Sequence, residues 1–232
     1  MISDSETTAS SRERRTTPRP NAAPAGAGTG HASLRPARYT ASITNGALKL
    51  TESRAVANLL LQGLDAQGWH DAIQTRNVLQ ARSPETAKRL TRLLRARLEL
   101  MAPPLWKMVA DGSALLATHA CLAAAVKHSR LLGDFLDQVV REQYRLFRPA
   151  LGHPLWAHYI EDCRSRDPAM SAWSESTVER LRSSVFQILA QVGYLENTRT
   201  LKLQCVFIAK EVLGYLREHD EQYVLRCIQV SP

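Results

Sequence analysis

The sequence predicts an all-α fold, a mainly helical bundle carrying helix-turn-helix elements, with a small two-stranded winged-helix-like sheet near the C-terminus. Three observations lead there. From about residue 50 to 192, apolar residues recur at three- and four-residue spacing, which gives each segment one stripe to bury. Ser, Thr or Pro heads most of these segments, and Gly or Pro closes them. Beyond Gly193 the pattern changes to alternation, with Leu201, Leu203 and Cys205 set against Lys202 and Gln204.

Met1–Arg38 is rich in Ser, Thr, Pro, Ala and Gly and has almost no large apolar residue, so it cannot offset the entropy of ordering. A disordered tail is expected over 1–38. Its Arg12, Arg14, Arg15, Arg19, Arg35 and Arg38 either strengthen polyanion binding without adding specificity or belong to an unselected extension. The folded part divides into a helical domain with a basic helix-turn-helix over 39–150 and a helix-turn-helix or winged-helix-like part over 151–232, packed on the first.

An extended or turn segment enters at Tyr39 and ends at Asn45-Gly46. Thr51 then reads as the cap of a helix with Val56, Leu59, Leu60 and Leu64 on one face, closed by Gly63 and Gly68. Trp69 to Leu79 forms the next helix and Gln80 to Ser83 a short turn. Ser83 and Pro84 start a third helix, because the serine oxygen accepts a free first-turn N–H and proline at the first position loses no hydrogen bond. Pro103 and Pro104 stop it and open a short helix through Leu105, Trp106 and Val109. Ala114 to Lys127 is apolar nearly all round and should be the central helix. Leu131 to Phe147 follows with Phe135, Leu136, Val139, Val140, Tyr144 and Phe147 inward. His153, Trp156, Tyr159 and Ile160 begin another helix, which Asp167-Pro168 ends. Ser176 with Glu179 fits a capping box for a helix that buries Val178, Leu181, Val185, Ile188, Leu189 and Val192 and stops at Gly193. A turn at Glu196–Arg199, a strand at 201–205, a helix over Ala209–His219 and a strand over Tyr223–Val230 complete the chain.

The third helix carries the functional signal. Ala87, Leu90, Leu94, Leu98 and Met101 form its apolar stripe, while Lys88, Arg92 and Arg95 fall on another face with Arg89 beside them. Between Arg76 and Arg97 the chain holds Arg76, Arg82, Lys88, Arg89, Arg92, Arg95 and Arg97 against the single acid Glu85, a local charge of +6 within a total of +8. The positive charge is therefore focused. A helix, a turn and a basic helix present a recognition helix to a DNA groove, although basic residues on a helix are often only a solvated face. The 24 Arg against 6 Lys fit a GC-rich genome equally well, so arginine usage alone says nothing about phosphates. In the C-terminal part, Arg180, Arg182, Arg199 and Lys202 are candidate phosphate contacts of a winged helix; a sheet that merely closes the domain is the competing reading.

Other classes find little support. The best apolar run, Leu115 to Val126, is too short to span a bilayer and contains His119, and the N-terminus lacks a signal-peptide core. Cys121, Cys163, Cys205 and Cys227 are far apart in apolar patterns and read as buried thiols of a reducing cytoplasm. With no C-x-x-C, and with His153 and His158 five apart, no metal site is expected. Phosphate-loop, dinucleotide, nucleophile-elbow and H-E-x-x-H motifs are absent, so neither catalysis, a cofactor nor a small-molecule substrate is expected.

The stretches YTASITNGALKLTESRAVANLLLQG, NVLQARSPETAKRLTRLLRARLELM, AAVKHSRLLGDFLDQVV and WSESTVERLRSSVFQILAQVGYLE, with the ending YVLRCIQV, resemble the BrxA family, small accessory proteins of BREX bacteriophage-exclusion systems. The similarity runs from about Tyr39 to Val230. It implies an all-helical, non-enzymatic protein with two helix-turn-helix elements that binds double-stranded DNA and works beside a methyltransferase and other BREX components. Its members have been likened to an RNA-binding antitermination factor, so RNA is an alternative ligand, and a protein scaffold without nucleic acid is a second alternative. The family supplies no role for Lys127, His128, Ser129, Arg130, Asp134 and Asp137, polar residues in an apolar zone; a satisfied network and a partner site are both open.

Overall fold

A computed structural model describes residues 39–43 and 47–231, which belong to one compact unit, Ala37–Pro232. The tail expected over 1–38 and the turn at Asn45-Gly46 lie outside the described residues. Helices α1 (Leu50–Leu61), α2 (Ala66–His70), α3 (Pro84–Leu98), α4 (Pro103–Asp111), α5 (Ala114–His128), α6 (Arg130–Asp134), α7 (Arg141–Arg145), α8 (Pro154–Arg166), α9 (Glu175–Val192), α10 (Lys210–Glu218) and α11 (Gln222–Ile228) follow in order. Widened π-turns extend α2 through Asp71–Thr75 and join α6 to α7 through Phe135–Val140.

Central α5 takes its place from composition: Ala117, Ala120, Ala123, Ala124, Ala125, Leu122 and Val126 are buried on successive faces. It packs against α1, α3, α4, α6, α9, α10 and α11. Ser113 caps it, accepting the Leu116 N–H at 3.2 Å. Buried His119 accepts the Ala209 N–H through Nδ1 at 3.0 Å and so fixes the entry to α10. A second knot closes the far side, where Phe135 meets Trp156 and Tyr159 edge-on at 5.2 Å.

The polar residues around α6 form a satisfied network. Asp134, 2% exposed, accepts Tyr39 OH at 2.7 Å, Tyr223 OH at 2.8 Å and Arg130 Nε at 3.2 Å. This carboxylate thus ties the entering segment, α6 and α11 together. Lys127 pairs with Glu221, Asp137 holds both Arg141 and Arg226, and Ser129 caps α6.

Several local expectations are corrected. No strand occurs among the described residues, so the two-stranded winged-helix-like sheet does not form. In its place two isolated antiparallel bridges join Ala150 to Lys202 and Leu195 to Leu203. Leu201 has φ 51°, which breaks the extended run at its first residue, and Pro149 has no N–H to extend the ladder. Tyr223–Val230 is largely α11, whose Val224, Cys227 and Ile228 share one buried face at helical spacing. Lys49, in the left-handed region, precedes α1 without a side-chain cap, and Thr51 lies inside the helix. Ser174 caps α9 in place of Ser176, accepting the Thr177 N–H. Phe147 is 92% exposed, because the helix ends at Arg145 and the chain turns at positive φ. Cys205 is exposed, while the other three thiols are buried. Gly193, at φ 98°, does stop α9 in the left-handed conformation.

Two consequences can be measured. Asp134→Ala strands two mostly buried tyrosine hydroxyls and should cost roughly 2–5 kcal/mol in urea unfolding; a loss within experimental error would show the network to be incidental. Burial holds His119 below its ordinary value of 6.5. The unfolded chain then binds a proton that the folded one rejects, so this contribution is complete above about pH 6.5 and is lost as pH falls further. His119→Asn keeps an acceptor for the Ala209 N–H and should flatten the acid limb of stability by up to about 1.4 kcal/mol per pH unit. An unaltered slope between pH 5 and 6.5 would trace the acid lability to another group.

Candidate nucleic-acid interface

The expected site begins with the entry to α3. Asp65 caps α2 by accepting the Gly68 N–H at 2.7 Å, and the helical path ends at Thr75, four residues before the predicted Leu79. Eight residues, 76–83, therefore connect the two helices instead of four. Two of them, Asn77 and Gln80, have positive φ. The Asn77 side chain clamps this loop, accepting the Ala81 N–H and donating to the Ala81 carbonyl, both at 3.0 Å. Ser83 then accepts the Thr86 N–H at 3.2 Å, with Pro84 following and Glu85 in the first turn, as the sequence predicts.

Along α3, Ala87, Leu90, Leu94 and Leu98 are buried, and they fix which residues face out. Lys88, Arg89 and Arg92 are exposed on the helix, and Arg82 is exposed in the connection. None of these four has a carboxylate within ion-pair distance among the described residues. Arg76 is exposed but pairs with Asp71 at 2.9 Å. Arg95 is half-buried, with its Cζ 4.2 Å from the Trp69 ring centroid, and it donates from Nε and Nη2 to Glu99 Oε1 at 2.9 and 2.6 Å.

Arg97 does not belong to the patch. It is 3% exposed, donates to the Ala47 carbonyl at 3.2 Å, and burial pushes its pKa down to about 10. Its position is three residues after Leu94 and seven after Leu90, on the apolar stripe.

The structure keeps the C-terminal candidates on another part of the chain. Arg180 and Arg199 are exposed, but Arg182 pairs with Glu179 at 2.6 Å and Lys202 with Glu196 at 3.7 Å. Arg182 borders a cavity of about 380 Å³ with His153, Ser183, Phe186, Gln187 and Thr198, and the other three candidates do not.

Between α2 with its π-turn and α3 lies a groove of about 530 Å³. Trp69, Ile73 and Ala96 give it apolar walls; Lys88, Arg92 and Arg95 bring positive charge, against the single carboxylate Glu99. Gln74 and Thr91 also line it, and their Nε2 and Oγ1 atoms are buried with no hydrogen-bond partner among the described residues. Sequence reasoning passed over Trp69, Gln74, Thr91 and Glu99 as site residues. Only Thr91 carried a signal, as a polar residue three positions after Lys88 and one after Leu90. Among the described residues no group of three or more His, Cys, Asp or Glu side chains is arranged to hold a metal, and no helix is long and apolar enough to cross a membrane.

Fold and site define an all-helical protein whose most cationic described helix is anchored by leucines and backed by an aromatic-walled groove. The chain belongs to the BrxA family, whose profile matches residues 37–220. It is 55% identical over 194 residues to the BREX protein BrxA of Paramagnetospirillum magneticum, covering 84% of this chain and 98% of that one. The BREX protein BrxA of Escherichia coli is 29% identical over 191 residues, 82% and 90% of the two chains. The crystal structure of an uncharacterized protein from Magnetospirillum magneticum superposes with a TM-score of 0.79 at 53% identity, covering 84% of this chain and all of the other.

The contrast between Arg97 and the outward cations is testable. Arg97→Met removes a buried charge and should leave affinity for a polyanion such as heparin unchanged, whereas Arg92→Met should elute from heparin at lower salt. Equal losses in both variants would mean that the buried guanidinium reaches the surface.

Proposed function

We propose that the chain is a non-enzymatic DNA-binding accessory protein of a BREX-type phage defence system, contacting phosphates through α3. The observation that carries this reading is the set Arg82, Lys88, Arg89 and Arg92, exposed and without a carboxylate partner among the described residues, on one helix and the loop that leads into it. Exposed cations without an ion pair among the described residues also occur elsewhere, as at Arg180, Lys210 and Arg217, so what sets α3 apart is the concentration of four within residues 82–92. Helix α3, about 22 Å long, fits in or across the major groove, which is about 12 Å wide. The connection and α2 before it then serve as the first half of a helix-turn-helix. Arg76 and Arg95 contribute less to phosphate binding, because Asp71 and Glu99 already take part of their charge. Family membership supplies the second half of the reading: the named relatives are BREX proteins, so other BREX components, including a methyltransferase, are the expected protein partners in the cytoplasm.

Four neutralised phosphates predict a log-log salt slope of about −3.6 on B-DNA. The test is a titration of labelled duplex, hairpin RNA and single strand with wild type and Arg89→Glu/Arg92→Glu at two salt concentrations. Duplex affinity should fall at least about tenfold in the double variant, with a slope nearer −1.8. Unchanged duplex binding in a variant that keeps its helical circular dichroism would remove α3 from the mechanism, and tighter hairpin binding would favour RNA.

A second reading, a protein scaffold without direct DNA contact, draws on the exposed apolar residues Leu146, Phe147 and Phe207, the last 81% exposed. Under it, the double charge reversal is silent and Phe207→Ser weakens complex formation.

A further inference from the structure

The geometry of the groove between α2 and α3 points to a site for one unstacked nucleotide. This deepens the nucleic-acid reading and rests on it for the source of that nucleotide. The starting observation is Arg95. The Trp69 ring lies 4.2 Å from its guanidinium carbon, and two of its donors bond Glu99 Oε1, so the group is fixed at the groove wall with its charge already paired. A guanidinium in that state is a weak phosphate ligand and a good stacking surface for a planar base.

The rest of the groove supplies what a nucleotide has besides a flat ring. Lys88 and Arg92, one helical turn apart and without carboxylate partners among the described residues, stand where a 5′-phosphate would be held. Gln74 and Thr91 bring an amide nitrogen and a hydroxyl that have no partner among the described residues, although Thr91 is only 9% exposed. A buried polar atom without a partner is costly, and inside a ligand-sized groove the ligand is the natural partner. Both residues line the groove that Arg95 walls, so they are the uncharged polar partners available to the edge of a base stacked there. Those two uncharged groups would read the base; the two cations would hold the phosphate.

The test uses the full chain and calorimetric titration with each 5′-deoxymononucleotide, with deoxyribose 5-phosphate and with inorganic phosphate. At least one mononucleotide should bind about tenfold or more tightly than deoxyribose 5-phosphate, and Thr91→Val and Gln74→Leu should each abolish that margin. Thr91→Val should also melt no lower than wild type, since it removes a hydroxyl with no partner; a merely structural threonine would instead lower the melting temperature. Equal binding of all nucleotides and the sugar phosphate, or a margin that survives both substitutions, overturns the inference.

Duplexes with and without a single-stranded overhang distinguish a nucleotide within a strand from a free one. An overhang advantage lost in Thr91→Val identifies the strand end, and its absence beside intact mononucleotide binding identifies the free nucleotide. Blunt-duplex affinity does not depend on these uncharged residues, so failure of the phosphate-binding reading shows as lost duplex binding in wild type, separately from the nucleotide margin.

Discussion

Everything in this fold answers to the near-complete burial of α5. Beyond its exposed first turn, where Leu115 meets solvent, a helix with five buried alanines, one leucine and one valine on successive faces has no side to give to water, so its neighbours must surround it. The alanines let those neighbours come close, and α1, α3, α4, α6, α9, α10 and α11 all do. Each then needs only one apolar stripe, which leaves its other face free for surface chemistry. His119 is the exception among the buried residues of α5: burial favours its neutral form, and its ring nitrogen holds the backbone leading to α10.

The cationic face follows from that arrangement. Ala87, Leu90, Leu94 and Leu98 anchor α3 to the bundle, and a helix held along one stripe can only turn Lys88, Arg89 and Arg92 outward. At its C-terminal end Trp106 donates to the Leu98 carbonyl at 2.7 Å, which holds the last turn in place. Charges on a helix fixed at both ends keep their spacing. A set of cations that does not reorganise on binding loses less conformational entropy than the same residues on a mobile loop.

Much of this was legible in the residues, and the failures have identifiable causes. The Ser83-Pro84 start, the leucine stripe and Gly193 were readable because each rests on a local steric or hydrogen-bonding rule that tertiary structure did not override. Cap positions slipped where polar residues are adjacent, Ser174 against Ser176, since either hydroxyl suits the role and packing of α9 decides. The sheet failed for a different reason: alternation at 201–205 cannot reveal that Leu201 takes positive φ or that no neighbouring strand is offered. At Tyr223–Val230 the aromatic and β-branched residues suggested strand, but Val224, Cys227 and Ile228 had a partner in α5 that favoured helix. Counting Arg97 in the patch ignored its register with Leu90 and Leu94. The groove was invisible in principle, because Gln74 and Thr91 line one space only when the π-turn after α2 is packed beside α3.

In the proposed nucleotide site, that last pair would separate two jobs that charge alone cannot. Lys88, Arg89 and Arg92 attract any phosphate backbone, and their attraction is the same for every sequence. Discrimination needs groups that lose something when the wrong partner enters, and hydrogen-bonding groups shielded from water have that property: unpaired, they forfeit bonds that solvent would otherwise supply. The pairing of Arg95 with Glu99 fits the same division, converting one guanidinium from a source of attraction into a wall of fixed orientation. Under the proposed function, the outer face of α3 would set how tightly the chain holds nucleic acid, and its inner edge what, within that polymer, it could accept.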